Sequence, residues 1–268
     1  MAAVFYPDCN QTEGECIMYR NSSGSQIVMQ RRAMLRWGAG AALFASGGSF
    51  AWRAGAAAKL APDAKSALIV VDVQNCFMPG GTLPVKQGND VVGVINRIAP
   101  AFENVIMTQD WHTPGHASFA SAHPGKKPFD STELSYGTQV LWPDHCVQGT
   151  PDADLQKDLK IPQAQLVIRK GYHKNIDSYS AFYEADRKTA TGLSAYLKQH
   201  HVKRVFLTGL ATDFCVAWTA IDARREGFET YVIEDATRAI DLNGSLAKAW
   251  ADMKAKGVKR IQSTDLAA

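Results

Sequence analysis

The sequence predicts an α/β fold: one domain with a mainly parallel, six-stranded sheet flanked by helices. Three observations carry this. From about residue 64 onward, short continuous apolar runs alternate with stretches of helical spacing. The apolar runs lack the polar–apolar alternation of a half-exposed strand, so they read as strands buried on both faces, as in a parallel sheet. Hydrophobic residues make up 46% of the 268 residues and charged residues 21%, the balance of a chain that buries a core.

Each element follows in order. Ser66–Asp72 is an apolar run ending in an acid and gives the first strand. Asp90–Phe102 has helical spacing through Val91, Val94, Ile95 and Ile98. Asn104–Gln109 is the second strand. Residues 110–163 are irregular and rich in Pro, Gly, His and Trp; a connection that long inside a compact domain marks function. Gln165–Arg169 is the third strand, Asp186–His200 a helix, and Arg204–Thr208 the fourth strand. Thr212–Glu226 is a helix ended by Gly227, and Thr230–Glu234 the fifth strand. Ser245–Lys256 is a helix stopped by Gly257, and Val258–Gln262 the sixth strand. The domain so outlined covers residues 64–266.

The first sixty residues read differently. Residues 29–56 hold the adjacent arginines Arg31 and Arg32, a weakly apolar run from Trp37 to Trp52, and then small residues through Ala56. This three-part layout resembles a twin-arginine export signal cleaved near Ala56. It predicts a periplasmic or exported protein and the twin-arginine machinery as a partner, with a cytoplasmic location if the signal does not function. A membrane anchor is the competing reading, but the run falls short of the roughly 20 apolar residues a span needs. Met29 would serve as a start codon, which makes residues 1–28 a candidate mis-extended start without structure of its own. The net charge of +3 is small and forms no basic stripe, so nucleic acid is not an expected partner. Five cysteines in a chain this long are too few for a disulfide scaffold.

In an open parallel sheet the active site lies beyond the carboxyl ends of the strands. The residues there form a chemical set. Asp72 follows the first strand, Asp110 and His112 the second, Lys170 the third, and Cys215 the fourth. Thr212 or Asp213 can cap the helix that carries Cys215, whose first-turn position would favour a thiolate. The free amides there could also hold an oxyanion. Taken singly, Asp72 is as well read as a strand-end turn residue, Lys170 as a solvated lysine and Cys215 as an inert buried thiol. Together they place an acid, an ammonium and a thiol on one rim, where a lysine lowers a thiol's pKa and an acid moves protons.

Asp110-Trp-His112 presents two ligands on one side of an extended segment, and His145 is a third. One carboxylate and two imidazoles suit zinc, iron or manganese and leave positions open for water or substrate. His116 and His123 are further ligand candidates.

Five segments, in order, resemble the nicotinamidases (pyrazinamidases) of the isochorismatase-like cysteine hydrolase superfamily. They are Asp72-Val-Gln-Asn-Cys-Phe77, Asp110-Trp-His112, Trp142-Pro-Asp-His145-Cys, Lys170-Gly171 and Gly209-Leu-Ala-Thr-Asp-Phe-Cys215-Val. The resemblance spans roughly residues 64–265. It implies hydrolysis of nicotinamide, and of pyrazinamide, to the acid and ammonia through a cysteine thioester. Cys215 would be the nucleophile, Asp72 the general base, and Lys170 the stabiliser of the charged pair. The amides of Ala211 and Cys215 would form the oxyanion hole, with a cis peptide between Leu210 and Ala211. Phe77 and Trp142 would sandwich the pyridine ring. Asp110, His112 and His145 would bind one divalent metal, zinc first, whose waters hold the ring nitrogen.

Two other readings use the same residues. A related cysteine amidase acting on a carbamoyl or ureido substrate would keep Asp72, Lys170 and Cys215 without needing the metal set. A non-catalytic metal or ligand carrier would keep the metal set with Cys215 unreactive. The sequence leaves open the oligomeric state, a homo-oligomer included, and the pairing of Cys76, Cys146 and Cys215.

Overall fold

A computed structural model describes residues 59–267. The candidate export signal at 29–56 and the candidate extension at 1–28 lie outside the described residues. The elements are β1 (Ser66–Val71), α1 (Asp90–Ile98), β2 (Asn104–Asp110), β3 (Ser131–Leu134), β4 (Gly137–Val140) and β5 (Leu166–Lys170). There follow α2 (Leu193–Gln199), β6 (Arg204–Leu210), α3 (Ala217–Arg225), β7 (Glu229–Arg238), α4 (Ser245–Ala255) and β8 (Lys259–Ile261). The main sheet is parallel throughout, in the order β5-β2-β1-β6-β7-β8. The chain builds outward from β1 on one side, through β2 to β5, and then fills the other side with β6, β7 and β8. β1 is therefore the place where strand order reverses, and a crevice opens there at the carboxyl ends.

β1 is buried along its whole length. Leu68 and Val70 face the core layer that contains Val91 and Ile95 of α1. Ala67, Ile69 and Val71 face the opposite layer, with Leu193 and Leu197 of α2, Ala220 of α3 and Met253 of α4. Side chains alternate with period two, so one continuous apolar run supplies both layers. The described chain is closed at its ends by a bridge between Leu60 and Leu266. The ordered contacts thus begin a few residues ahead of the outlined boundary at 64.

Four elements depart from the sequence expectation. The 110–163 stretch contains an antiparallel hairpin, β3 with β4. Its strands are short and mostly solvated, which left no apolar run to mark them. The 186–200 helix is reduced to α2. Asp186 folds back on the amides of Lys188 and Thr189, and Gly192 adopts a left-handed φ of 95°, so the helix can start only after it. The 212–226 helix opens as a wide π-turn over Thr212–Val216 before α3. β7 continues to Arg238, four residues past the expected end at Glu234, by a register shift in its pairing between Leu207 and Gly209.

Gly209 is the β6 residue paired with Val71 of β1, at a close backbone approach. Its φ is +100°, and a Cβ there would stand 1.9 Å from the Val71 carbonyl oxygen. We predict that Gly209→Ala lowers unfolding free energy by about 2–6 kcal/mol, from backbone strain plus overpacking. Gly125→Ala, also left-handed but with open space around it, should cost only about 1 kcal/mol. Urea unfolding of both variants checks this; equal losses would contradict it.

Candidate active site

Four neighbouring strands deliver one functional group each to the carboxyl edge. Asp72 stands at the exit of β1, Asp110 ends β2, Lys170 ends β5 and Cys215 lies in the π-turn after β6. Asp110 and Lys170 are register partners. Adjacent strands run about 4.8 Å apart, so side chains at matched strand ends meet without any long loop to position them.

The Lys170 side chain is fully buried. Its Nζ lies 2.8 Å from Asp72 Oδ2, donates to Asp110 Oδ1 and to the Ser178 carbonyl at 3.0 Å, and stands 3.3 Å from Cys215 Sγ. Burial alone would lower its pKa, but Asp110 and Asp72 outweigh burial and hold it well above the usual lysine value. The two carboxylates respond oppositely. Burial pushes Asp72 up to about 6, against the pull of Lys170 and with a further push from Asp110. Asp110 also suffers burial, but Lys170 together with His145 and His112 brings it well below the carboxylate range. Asp72 is aimed by Thr108, whose hydroxyl donates to Oδ1 at 2.5 Å and accepts from the Asp72 amide. Oδ2 is thereby left toward Lys170 and, beyond that ion pair, has no hydrogen-bond partner of its own among the described residues.

Two sequence expectations for Cys215 need correction. Neither Thr212 nor Asp213 caps the turn, which has no side-chain cap. Asp213 instead accepts from the amides of Ile240 and Asp241 and the hydroxyl of Ser245, tying the turn to the segment after β7. Nor is the thiol acidified at rest. Burial, aided by Asp110 and Asp72, pushes it well above its ordinary value despite Lys170. The two acids cancel much of what the ammonium supplies, and a proton acceptor is therefore needed. The peptide between Leu210 and Ala211 is cis, as expected. The Ala211 N–H has no acceptor among the described residues.

Asp110, His112 and His145 come together with their donor atoms within 4.8 Å of one another. The tautomers fit a cation. His112 Nδ1 lies 3.0 Å from the Gly171 carbonyl and His145 Nδ1 lies 2.8 Å from the Pro143 carbonyl. Each Nδ1 therefore carries the proton, and each Nε2 presents a lone pair, at 3.9 and 3.8 Å from Asp110 Oδ2. Burial pushes His112 down to about 4, so its ring is neutral at neutral pH, the form that could accept a cation. Three acceptors facing one point suit a divalent ion. Gly171 permits this: a Cβ there would stand 2.6 Å from the His112 ring. The other two candidate histidines are spent elsewhere. His116 contacts the Ser118 hydroxyl and the His173 carbonyl, and His123 the Ala117 carbonyl.

Phe77 and Trp142 line a cleft of about 310 Å³ that also reaches Asp110, His112, His145 and Cys215. Ala211, Leu83, Asp177, Tyr179, Phe214 and Ile240 complete its walls, and of these only Ala211 has a role expected from the sequence. Ile240 was findable by the strand-end rule, since it follows β7. Tyr179 accepts the Trp142 indole N–H at 3.0 Å, a contact no sequence pattern encodes.

The described chain is similar to known proteins. The isochorismatase domain model matches residues 66–265. The nicotinamidase of Acinetobacter baylyi is 58% identical over 200 residues, covering 75% of this chain and 94% of that protein. The nicotinamidase of Escherichia coli is 39% identical over 196 residues, covering 71% and 92%. Among solved structures, an Acinetobacter baumanii nicotinamidase/pyrazinamidase superposes with a TM-score of 0.75 at 60% identity, covering 76% of this chain and 98% of that one. PnC1 from L. infantum in complex with nicotinate gives 0.69 at 37%, covering 78% and 99%. A Pyrococcus horikoshii pyrazinamidase in complex with zinc gives 0.61 at 34%, covering 74% and 99%. The matched region begins with β1 and ends just past β8, so it carries all four strand ends of the site, and the chain belongs to the isochorismatase domain family.

Proposed function

We propose that this protein hydrolyses nicotinamide, and pyrazinamide by the same chemistry, to the aromatic acid and ammonia through a thioester on Cys215. One observation carries the reading. A buried cysteine sulfur stands 3.3 Å from a lysine shared by two acids, at the base of an aromatic cleft beside a three-donor metal set. The zinc-bound pyrazinamidase and the nicotinate-bound relative support the same choice of ligand class.

The roles follow from the proton inventory. Asp72 is ionised at neutral pH and takes the Cys215 proton, while Lys170 compensates the thiolate. The thiolate attacks the carboxamide carbon. The amides of Ala211 and Cys215 receive the resulting oxyanion, each worth about 3–4 kcal/mol in such sites. Asp72 returns its proton to the leaving nitrogen, and ammonia departs. Water then attacks the thioester, gives its proton to Asp72, and the acid leaves as that proton returns to sulfur. Phe77 and Trp142 flank the aromatic ring. Asp110, His112 and His145 would hold one divalent ion, zinc ahead of iron or manganese, which supplies a Lewis-acid anchor for the ring nitrogen. A carbamoyl or ureido amidase would have no use for that donor set, which argues against it.

We further propose that residues 29–56 export the domain by the twin-arginine route, with residues 1–28 ahead of the true start. The adjacent Arg31 and Arg32, the weakly apolar run from Trp37 to Trp52 and the small residues through Ala56 support this reading.

The deciding assay follows nicotinate and ammonia together from the full-length protein loaded with zinc. Equal amounts are expected; a folded, zinc-loaded protein without turnover would overturn the reading. Cys215→Ala should lower kcat by at least about 10⁴-fold with the fold intact by circular dichroism. Chelation should abolish turnover and added zinc restore it. Because Asp72 must be ionised, kcat/KM should fall about tenfold per pH unit below about 6. A profile flat down to pH 4.5 would remove Asp72 from the role of base.

A further inference from the structure

The three metal donors come from two separate segments, and their backbones are held by neighbours that one covalent bond joins. Asp110 is clamped by Gln74: its amide donates to Gln74 Oε1 at 2.8 Å, and Gln74 Nε2 donates to its carbonyl at 2.9 Å. Gln74 immediately precedes the short turn Asn75–Phe77, which carries Cys76 and the ring wall Phe77. The other two donors depend on Cys146. His145 is its chain neighbour, and the His112 amide donates to the Cys146 carbonyl at 3.1 Å. Cys76 and Cys146 are bonded to each other across 70 residues, with Cα atoms 5.6 Å apart, inside the usual range.

We propose that the Cys76–Cys146 disulfide is a positioning element of the active site, locking the Asp110 and Phe77 side of the metal pocket to its His112 and His145 side. Cys146 itself sits at a left-handed φ of 48°, held by its amide's bond to Asp152 Oδ2 at 3.0 Å. Free to turn, the 145–147 segment would carry one imidazole away and loosen the backbone of the other. Both sulfurs are completely buried, so a thiol reductant has no path to them in the folded protein. The bond is thus a standing brace rather than a switch. It forms as the two thiols yield two protons and two electrons to a disulfide oxidant during or before folding. Cys215 stays outside it as the free thiol that the proposed chemistry needs.

This inference rests on the metal-site reading of the proposed function, and its test separates the two. Full-length protein would be prepared in two forms of one sequence, from an oxidising and from a reducing compartment. Cys76 and Cys146 would be scored by differential alkylation and mass spectrometry. Both forms, and a Cys76→Ala/Cys146→Ala variant, would be loaded with zinc and challenged with a chelator while residual zinc is followed. Oxidised protein is expected to show the two cysteines protected, with zinc loss at least about tenfold slower than from the reduced form or the variant, the scale on which outer contacts of metal ligands act. KM for nicotinamide should rise in the reduced form more than kcat falls, because the Phe77 wall moves with the turn. If the bond only stabilises the fold, its loss would lower the melting temperature and leave zinc loss at 25 °C unchanged; that result would overturn the proposal. So would two free thiols in oxidised, folded, zinc-retaining protein. If the variant does not fold, the two wild-type forms still decide. Oxidised protein that binds no zinc would end the metal reading and this proposal together. Protein that keeps zinc in the disulfide-dependent way but leaves nicotinamide intact would end only the activity reading.

Discussion

A lysine ammonium fully withdrawn from water governs this site. An isolated charge in that position would cost far more than a domain's whole stability, so Lys170 can exist there only between acids. Asp72 and Asp110 supply them, and both stand at strand ends next to β5 or one strand further. The order β5-β2-β1-β6 is what makes this possible: lysine, acid, acid and cysteine are delivered by four consecutive strands of one parallel sheet. Breaking any of these strand ends would strand a charge in the interior.

Sharing one cation also divides the labour between two identical side chains. Asp110 faces Lys170 and two imidazoles and stays ionised throughout the working range. Asp72 faces the same lysine, but burial and its neighbour Asp110 raise it to about 6. Carboxyls whose environments push them apart serve different ends. Here one suits permanent coordination of a cation and the other a proton that moves. Asp110 is the counter-ion of Lys170 and, in the proposed reading, would also be a metal donor, which would make the metal pole and the nucleophile pole a single electrostatic unit. The Cys215 thiol lies within that unit and stays protonated until a base acts.

Much of this was legible in the sequence. The apolar run 66–71 announced a strand buried on both faces, and the rule that function gathers at the carboxyl ends then gathered Asp72, Asp110, Lys170 and Cys215. Asp110-Trp-His112 was legible as a ligand pair because an extended chain puts alternate residues on one side. The misses have a common form. Asp186 and Gly192 shortened a helix through local hydrogen bonds and backbone sign, and the β3–β4 hairpin hid in solvated strands. Of the two cap candidates, Thr212 and Asp213, neither caps, and the Asp213 carboxylate is taken by Ile240, Asp241 and Ser245, residues brought near only by β7 and α4.

The sequence by itself determined the strand–helix alternation, the family likeness, and which residue types would meet at the carboxyl edge. The alternation and the meeting at the edge follow from local periodicity and strand direction, and the likeness from five short motifs in order. Only the tertiary structure decided that Asp110 serves Lys170 as well as the histidines, that the resting thiol is raised rather than acidified, and that Cys76 pairs with Cys146 and not with Cys215. Each of these depends on distances between segments far apart in the chain. Burial and through-space charge set the balance there, and neither is written in any run of neighbouring residues.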